Sequence, residues 1–229
     1  MKRLGQSNQD GFTIVELMIA TIVFATVLLV CTMGLLQISR TYYRGIVSSR
    51  TQEVTRTILQ DVSESVRLGG GTVVPNIAPS GTVRGLCAGG KRYSFEPYKQ
   101  LNDAVATQRH ALVVDDMAAC TSGTPAQDIN GGTLTATSRE MMNTRMRIAD
   151  FRICAPGDTV NCPTGAPPAT SSLYKVVVRV ITGENDLILD RNGDGNINAA
   201  DAPLECKVQG SGGQFCAVSE LSTVVQKRL

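Results

Sequence analysis

Residues 12–38 read FTIVELMIATIVFATVLLVCTMGLLQI, and Glu16 is the only ionisable group among them apart from the Cys31 thiol. As a helix, at about 1.5 Å per residue, the run spans roughly 40 Å, longer than the roughly 30 Å hydrocarbon core of a bilayer. A core helix of a soluble domain has no need of such length, so the run is read as membrane-inserted when the chain is made. A removable secretory signal fits less well. Lys2 and Arg3 supply a basic start, but the apolar run exceeds an ordinary signal core. No A-x-A-like site follows it in good position, and helical signals continue past Ile38.

Working outward, charge does not orient the segment: Lys2 and Arg3 precede it, while Arg40, Arg44, Arg50 and Arg56 follow it. The cysteines orient it better. Six of the seven (Cys87, Cys120, Cys154, Cys162, Cys206 and Cys216) lie in the C-terminal part. An even set at short spacings suits disulfides made in an oxidising compartment. A metal site is disfavoured by the lack of any C-x-x-C pair and by a single histidine, His110. The C-terminal part is therefore placed outside the cytoplasmic membrane. Many connectivities are open to six cysteines; local spacing favours Cys154 with Cys162 and Cys206 with Cys216, leaving Cys87 with Cys120. Cys31 reads as a small apolar packing residue.

Residues 1–11 are polar and end Asn8-Gln9-Asp10-Gly11. Beyond residue 38 the helix continues to about Leu68 in amphipathic form. Val54, Ile58, Val62 and Val66 recur every four residues with Leu59 beside them, while Arg56, Gln60, Glu64 and Arg67 lie elsewhere. Gly69-Gly70-Gly71 ends it. Strand-like segments follow at 93–95, 111–114, 133–137, 146–153 and 173–182, with an edge at 186–189 and a last strand near 222–226. The clearest is 173–182, where Val176, Val178 and Val180 alternate with Lys175, Val177 and Arg179. The expected fold class is α+β: a long N-terminal helix, 12–38 transmembrane and 39–68 amphipathic, laid on an antiparallel β-rich head, 69–229. No internal repeat is visible. A net charge of +2 with no basic stripe argues against a nucleic-acid-binding domain, and 22 glycines with 4% aromatics suit a loop-rich β head.

The residues Gly11-Phe12-Thr13-Ile14-Val15-Glu16-Leu17 resemble the processing site of type IV prepilins and of the related pseudopilins of type II secretion systems. The resemblance implies a type IV pilin-like fold and a polar leader, residues 1–11, cut by a prepilin peptidase on the cytoplasmic side. The cut falls after Gly11, and the new N-terminal residue, Phe12, is methylated. Gly11 leaves the scissile backbone accessible. Glu16 is costly in the span, by roughly 2.5–3.5 kcal/mol for a charge at a helix centre and less near the interface. The resemblance implies that its partner is the free amine of a neighbouring subunit's Phe12. It also implies a protein held in the inner membrane by a single pass with its head outside, then packed with other pilin subunits through the N-terminal helix into an extracellular or periplasmic filament. Residues 57–67 resemble the helix of minor, larger-headed members, the W-type minor pilin and the J-type pseudopilin, so a minor subunit is favoured over the bulk pilin.

In the head, residues 190–201 read DRNGDGNINAAD and fit D-x-[DN]-x-[DN]-G of a calcium loop. Asp190, Asn192 and Asp194 would ligate Ca2+ by side chain and Asn196 by its carbonyl. Asn198 would act directly or through water, Asp201 would close the shell, and Ile197 would pack inward. Asp rather than Glu at the last position resembles dockerin modules, and Pro203 forbids a long exiting helix. The competing reading is an Asp-Gly turn with solvated polar residues. The ion's role would be structural.

Three functions are compatible with such a chain to different degrees. The first is a structural or initiating filament subunit. The second is a tip module that binds a surface or DNA, for which Lys91-Arg92-Tyr93 with Tyr98-Lys99 is the nearest candidate, although a solvated loop is the plainer reading of it. The third, a membrane-tethered enzyme, lacks support: there is one His and no G-x-S-x-G or H-E-x-x-H. His110, near Asp115 and Asp116, reads as a strand-flanking polar residue.

Overall fold

The computed structural model describes residues 11–69, 73–101, 109–131, 134–154, 172–207 and 212–228. Among these residues one α-helix, α1 (Ile14–Leu68), is followed by seven strands: β1 (Arg84–Ala88), β2 (Lys91–Phe95), β3 (Leu112–Asp116), β4 (Arg139–Glu140), β5 (Met146–Cys154), β6 (Leu173–Thr182) and β7 (Ala217–Gln226). The chain divides into two compact units, Met1–Tyr42 and Tyr43–Leu229. The architecture is α+β with a long N-terminal helix, as the sequence predicts.

In the second unit, the C-terminal half of α1 buries Thr51, Thr55, Ile58, Val62, Ser65 and Val66. That stripe follows the three- and four-residue spacing of one helix face. The polar members turn their hydroxyls inward without leaving them bare: Thr55 donates to the Thr51 carbonyl (2.7 Å), and the Thr51 and Thr182 hydroxyls meet at 2.7 Å. The strands form two antiparallel sheets, ordered β1-β2-β3-β4 and β5-β6-β7. Both contribute to the core over α1. From the first sheet come Leu86, Tyr93, Phe95, Leu112 and Val114, and from the second Phe151, Ile153, Val176, Val178, Val180 and Val225. The opposite face of the first sheet is covered by a smaller cluster with Val74, Ile77, Cys87, Val113 and Ile129. A third cluster, Ile181, Ile188, Ile197, Leu204 and Cys216, lies on the other face of β6.

The differences from the sequence reading have local causes. Two sheets stand where one was expected. Strand β1 was missed because RGLCA is buried on both faces and shows no polar alternation. The expected strand at 133–137 is absent over Leu134–Thr137. There the Ser138 N–H closes a turn onto the Thr135 carbonyl (3.0 Å) and the two hydroxyls meet at 2.7 Å, so pairing resumes only at β4. At 186–189, a 3-10 turn at Asn185–Leu187 and a single bridge between Ile188 and Cys206 replace the edge strand.

Gly69 does more than end α1. A Cβ added at Gly89 would run into the Ser65 carbonyl oxygen, and one at Gly69 would run into Gly89 Cα. The helix end and the β1–β2 turn thus touch backbone to backbone, which only glycine permits.

Candidate functional site

At the start of α1, Thr13 and Glu16 form a reciprocal cap. Glu16 Oε2 accepts from the Thr13 N–H and from its hydroxyl (both 3.0 Å), and the Glu16 N–H donates to Thr13 Oγ1 (3.3 Å). This is the T-x-x-E capping box, which also sets a carboxylate against the positive end of the helix. The spacing was legible in T-I-V-E, yet the sequence reading gave Glu16 only an intermolecular partner. Gly11 is exposed with nothing within 4 Å of a Cβ built on it, and Phe12 is 88% exposed.

From Phe12 to Ile38 the large apolar side chains are uncovered by the rest of the chain. The most apolar part of α1 is nowhere buried by the rest of the chain. Its hydroxyls are internally bonded: Thr21 to the Met18 carbonyl (2.9 Å), Thr26 to Val23 (2.8 Å) and Thr32 to Leu28 (2.7 Å). Such back-bonding lets a threonine face lipid or another apolar helix without an unmet polar group. α1 is the single candidate membrane span among the described residues.

The loop at 190–201 folds around its own side chains. Asp190 accepts from the Gly193 N–H (2.6 Å) and the Gly195 N–H (2.8 Å), and both glycines sit at positive φ, 72° and 77°. Asn192 Oδ1 accepts from the Asp194 N–H (3.1 Å), and Asp194 Oδ1 accepts from the Asn196 N–H (2.7 Å). Asp194 Oδ2 is met by two amide donors, Asn192 Nδ2 and Asn198 Nδ2, each at 2.9 Å. The second of these also stands 3.4 Å from the Asn196 carbonyl. A side-chain amide thus fills the point between two groups the sequence reading named as ligands.

Asp201 lies beneath the loop, fully buried, and plays a different part. It accepts from the backbone N–H groups of Arg191 (2.7 Å) and Asn198 (2.9 Å), while Asn198 Oδ1 accepts from Ala200 (2.8 Å) to complete a capping box. The Asn198 N–H, aided by those of Arg191 and Asn192, outweighs burial and holds the Asp201 carboxyl below its ordinary value. Ile197 packs inward in the third apolar cluster. Among the described residues no three His, Cys, Asp or Glu side chains converge as a ready metal cluster. Amides and carbonyls complete a calcium loop's donor set.

Cys87 is joined to Cys120, and Cys206 to Cys216. Cys154 is disulfide-bonded, and Cys162, its expected partner, lies outside the described residues. In the basic–aromatic stretch, read above more plainly as a solvated loop than as a ligand surface, residues 91–93 form neither, while Tyr98 and Lys99 are half-buried. Arg92 is buried and grips Asp115 in a fork (2.9 and 2.7 Å), Tyr93 is fully buried, and the Lys91 ammonium pairs with Asp61 at 2.9 Å. Strand β2 is covered on both faces, so its charges serve the head's interior. His110 stands 3.3 Å from Glu140, which accepts from the backbone of Ala111 and Leu112.

Comparison with curated proteins and with solved structures found no significant match. Residues 6–32 match the family described as the prokaryotic N-terminal methylation motif. The matched residues take in Gly11, Phe12, the Thr13–Glu16 cap and most of the uncovered apolar run. The chain thus carries, at the head of its long helix, the signature of type IV prepilins.

Proposed function

We propose that this chain is a minor structural or initiating subunit of a type IV pilus or a pilus-like filament. The observation that carries the reading is the coincidence of the methylation motif with an apolar helix half that the fold leaves uncovered. Apolar side chains on that scale need lipid or other helices around them. The motif supports cutting after Gly11 by a prepilin peptidase, methylation of Phe12, anchoring in the inner membrane with the head outside, and later assembly with other pilin subunits. A head larger than a simple repeating subunit needs favours a minor role.

Glu16 would then turn from a cap within its own chain to a partner for a neighbour's Phe12 amine. Glu16→Gln tests this sharply, because the amide oxygen still accepts from Thr13 while the charge is gone. Cleavage and methylation, read by mass spectrometry of the N-terminus, are expected to persist in Glu16→Gln and Glu16→Ala alike. Incorporation into sheared filaments is expected to be lost in both. Wild-type incorporation of the Gln variant would sink the pairing role.

Residues 190–201 are further proposed to hold a structural calcium ion. Asp190, Asn192 and Asp194 would supply side-chain oxygens, Asn196 its carbonyl and Asn198 a direct or water-borne contact. Asp201 would brace the loop and close the shell. The Asn198 amide between Asp194 and Asn196 supports the reading, since a cation would satisfy the same oxygens more strongly. Identical melting of the full chain in excess calcium and in excess chelator would remove it.

A further inference from the structure

Strand β7 is an outer strand of its sheet. Its pairing with β6 runs through ten residue pairs, Leu173 with Gln226 to Thr182 with Ala217, without the irregularity seen between β5 and β6 at Ile148 and Asp150. The Lys227 N–H donates to the Ser172 carbonyl across that ladder (2.8 Å). Because an antiparallel strand turns successive residues to opposite sides, the odd-numbered residues of β7 bond to β6. Val218, Glu220, Ser222, Val224 and Gln226 therefore point their N–H and C=O groups away from the sheet.

These groups border a groove. Its other bank is the outward flank of α1, with Gln52, Arg56, Gln60 and Glu64, and half-buried Leu221 and Thr223 line the β7 side. The strand carries no proline, no lysine and no bulge, and its one charge, Glu220, is taken up by Arg179 at 3.3 Å. Natural outer strands are guarded by such devices. An undefended backbone ladder is complementary to another backbone. The α1 bank alternates acid and base (Glu53, Arg56, Glu64, Arg67), so an occupant needs no net charge.

A second copy of β7 does not fit. α1 runs in the same direction as β7, with Thr51 beside Thr182 at one end and the Arg67 carbonyl accepting from Arg228 at the other (3.4 Å). An antiparallel β7–β7 pair would send the two copies of α1 out of their heads in opposite directions, which one membrane or one polar filament forbids. A parallel pair sets an outward-bonding residue level with one that bonds inward. Two-fold symmetry makes identical residues level, so it cannot build that ladder.

We propose that β7 and the adjoining α1 flank form a strand-addition site, filled by an extended backbone segment from the head of a different neighbouring subunit. The proposal rests on the filament-subunit reading, which the recovery of the chain in sheared filaments tests separately. The edge itself is tested in the full-length chain, in the cells that assemble it, with a photo-cross-linking residue placed in turn at 220, 222 and 224. Adducts on one different protein are expected, at partner positions that step by two residues in a single direction. Ser222→Lys, which leaves the β6 ladder intact, is expected to lower adducts from 220 and 224 by roughly tenfold with an unchanged melting temperature. Adducts onto another copy of this chain would overturn the proposal. So would partner sites without the two-residue step, or no adduct at 222, whether or not the chain is found in filaments.

Discussion

Asp61 ties α1 to the first sheet through three partners. Its Oδ2 accepts from the Tyr93 hydroxyl at 2.7 Å, and its Oδ1 receives Lys91 at 2.9 Å and Arg139 at 2.5 Å. Burial alone would push the carboxyl up, but Tyr93, Lys91 and Arg139 outweigh it and hold it below its ordinary value. A depressed folded pKa stabilises above the unfolded value near 3.9, and that stabilisation is lost as pH falls through the folded value. Asp61→Asn should therefore cost about 1.5–3 kcal/mol at pH 7. Urea titrations of both proteins should show the difference shrinking below about pH 4, whereas a gap constant down to pH 2 would assign it to shape alone. A second single-residue prediction concerns Gly89, at φ 57° with the Ser65 carbonyl against it. Because the obstacle is backbone and cannot swing aside, Gly89→Ala should destabilise by more than about 3 kcal/mol by the same titration.

At the scale of elements, what could be read in advance followed from how many faces an element exposes. The outer half of α1 shows one polar face, so Ile58, Val62 and Val66 announced themselves by period, and all three are buried. Strand β6 was equally plain, with Val176, Val178 and Val180 facing α1. Strands β1 and β2 are covered on both sides, so their sequences carry no alternation, and Arg92 and Tyr93 passed for surface residues. The Thr13–Glu16 cap was written in four residues but overlooked beside the stronger demand of a carboxylate in an apolar run. In the loop at 190–201 the ligand spacing was legible, whereas the bracing role of Asp201 depends on the chain returning beneath Arg191. Ile58→Ala should cost about 2–5 kcal/mol by leaving a cavity between the helix and both sheets. Thr57→Ala, one residue away on the exposed face, should stay within about 0.5 kcal/mol. Similar losses in both would mean that this half of α1 is not docked by its apolar stripe.

For the molecule as a whole, the Cys87–Cys120 and Cys206–Cys216 disulfides are set in different apolar clusters, and this decides which of them shares packing with the loop at 190–201. Cys216 lies in the cluster of Ile181, Ile188, Ile197 and Leu204, with Cys206 packed against it, and Ile197 belongs to the loop itself. Cys87 and Cys120 belong to the cluster on the far face of the first sheet, with Val74, Ile77 and Ile129. Closing loops of these lengths contributes roughly 2–4 kcal/mol per bridge, largely by restricting the unfolded chain. Calcium would add stability in proportion to the logarithm of its concentration over its dissociation constant. Perturbations that share packing partners do not add, and those far apart do. The gain in stability from calcium should therefore be the same in the Cys87→Ser/Cys120→Ser variant as in the wild type. In Cys206→Ser/Cys216→Ser it should shrink by about 0.5–3 kcal/mol, because the loop loses the packed floor that Ile197 rests on. Chemical denaturation of the four proteins (wild type, each pair, both pairs) with calcium or chelator measures the coupling directly. An equal calcium gain in all four would show that the loop is stabilised by its own hydrogen bonds and draws nothing from the cluster below it.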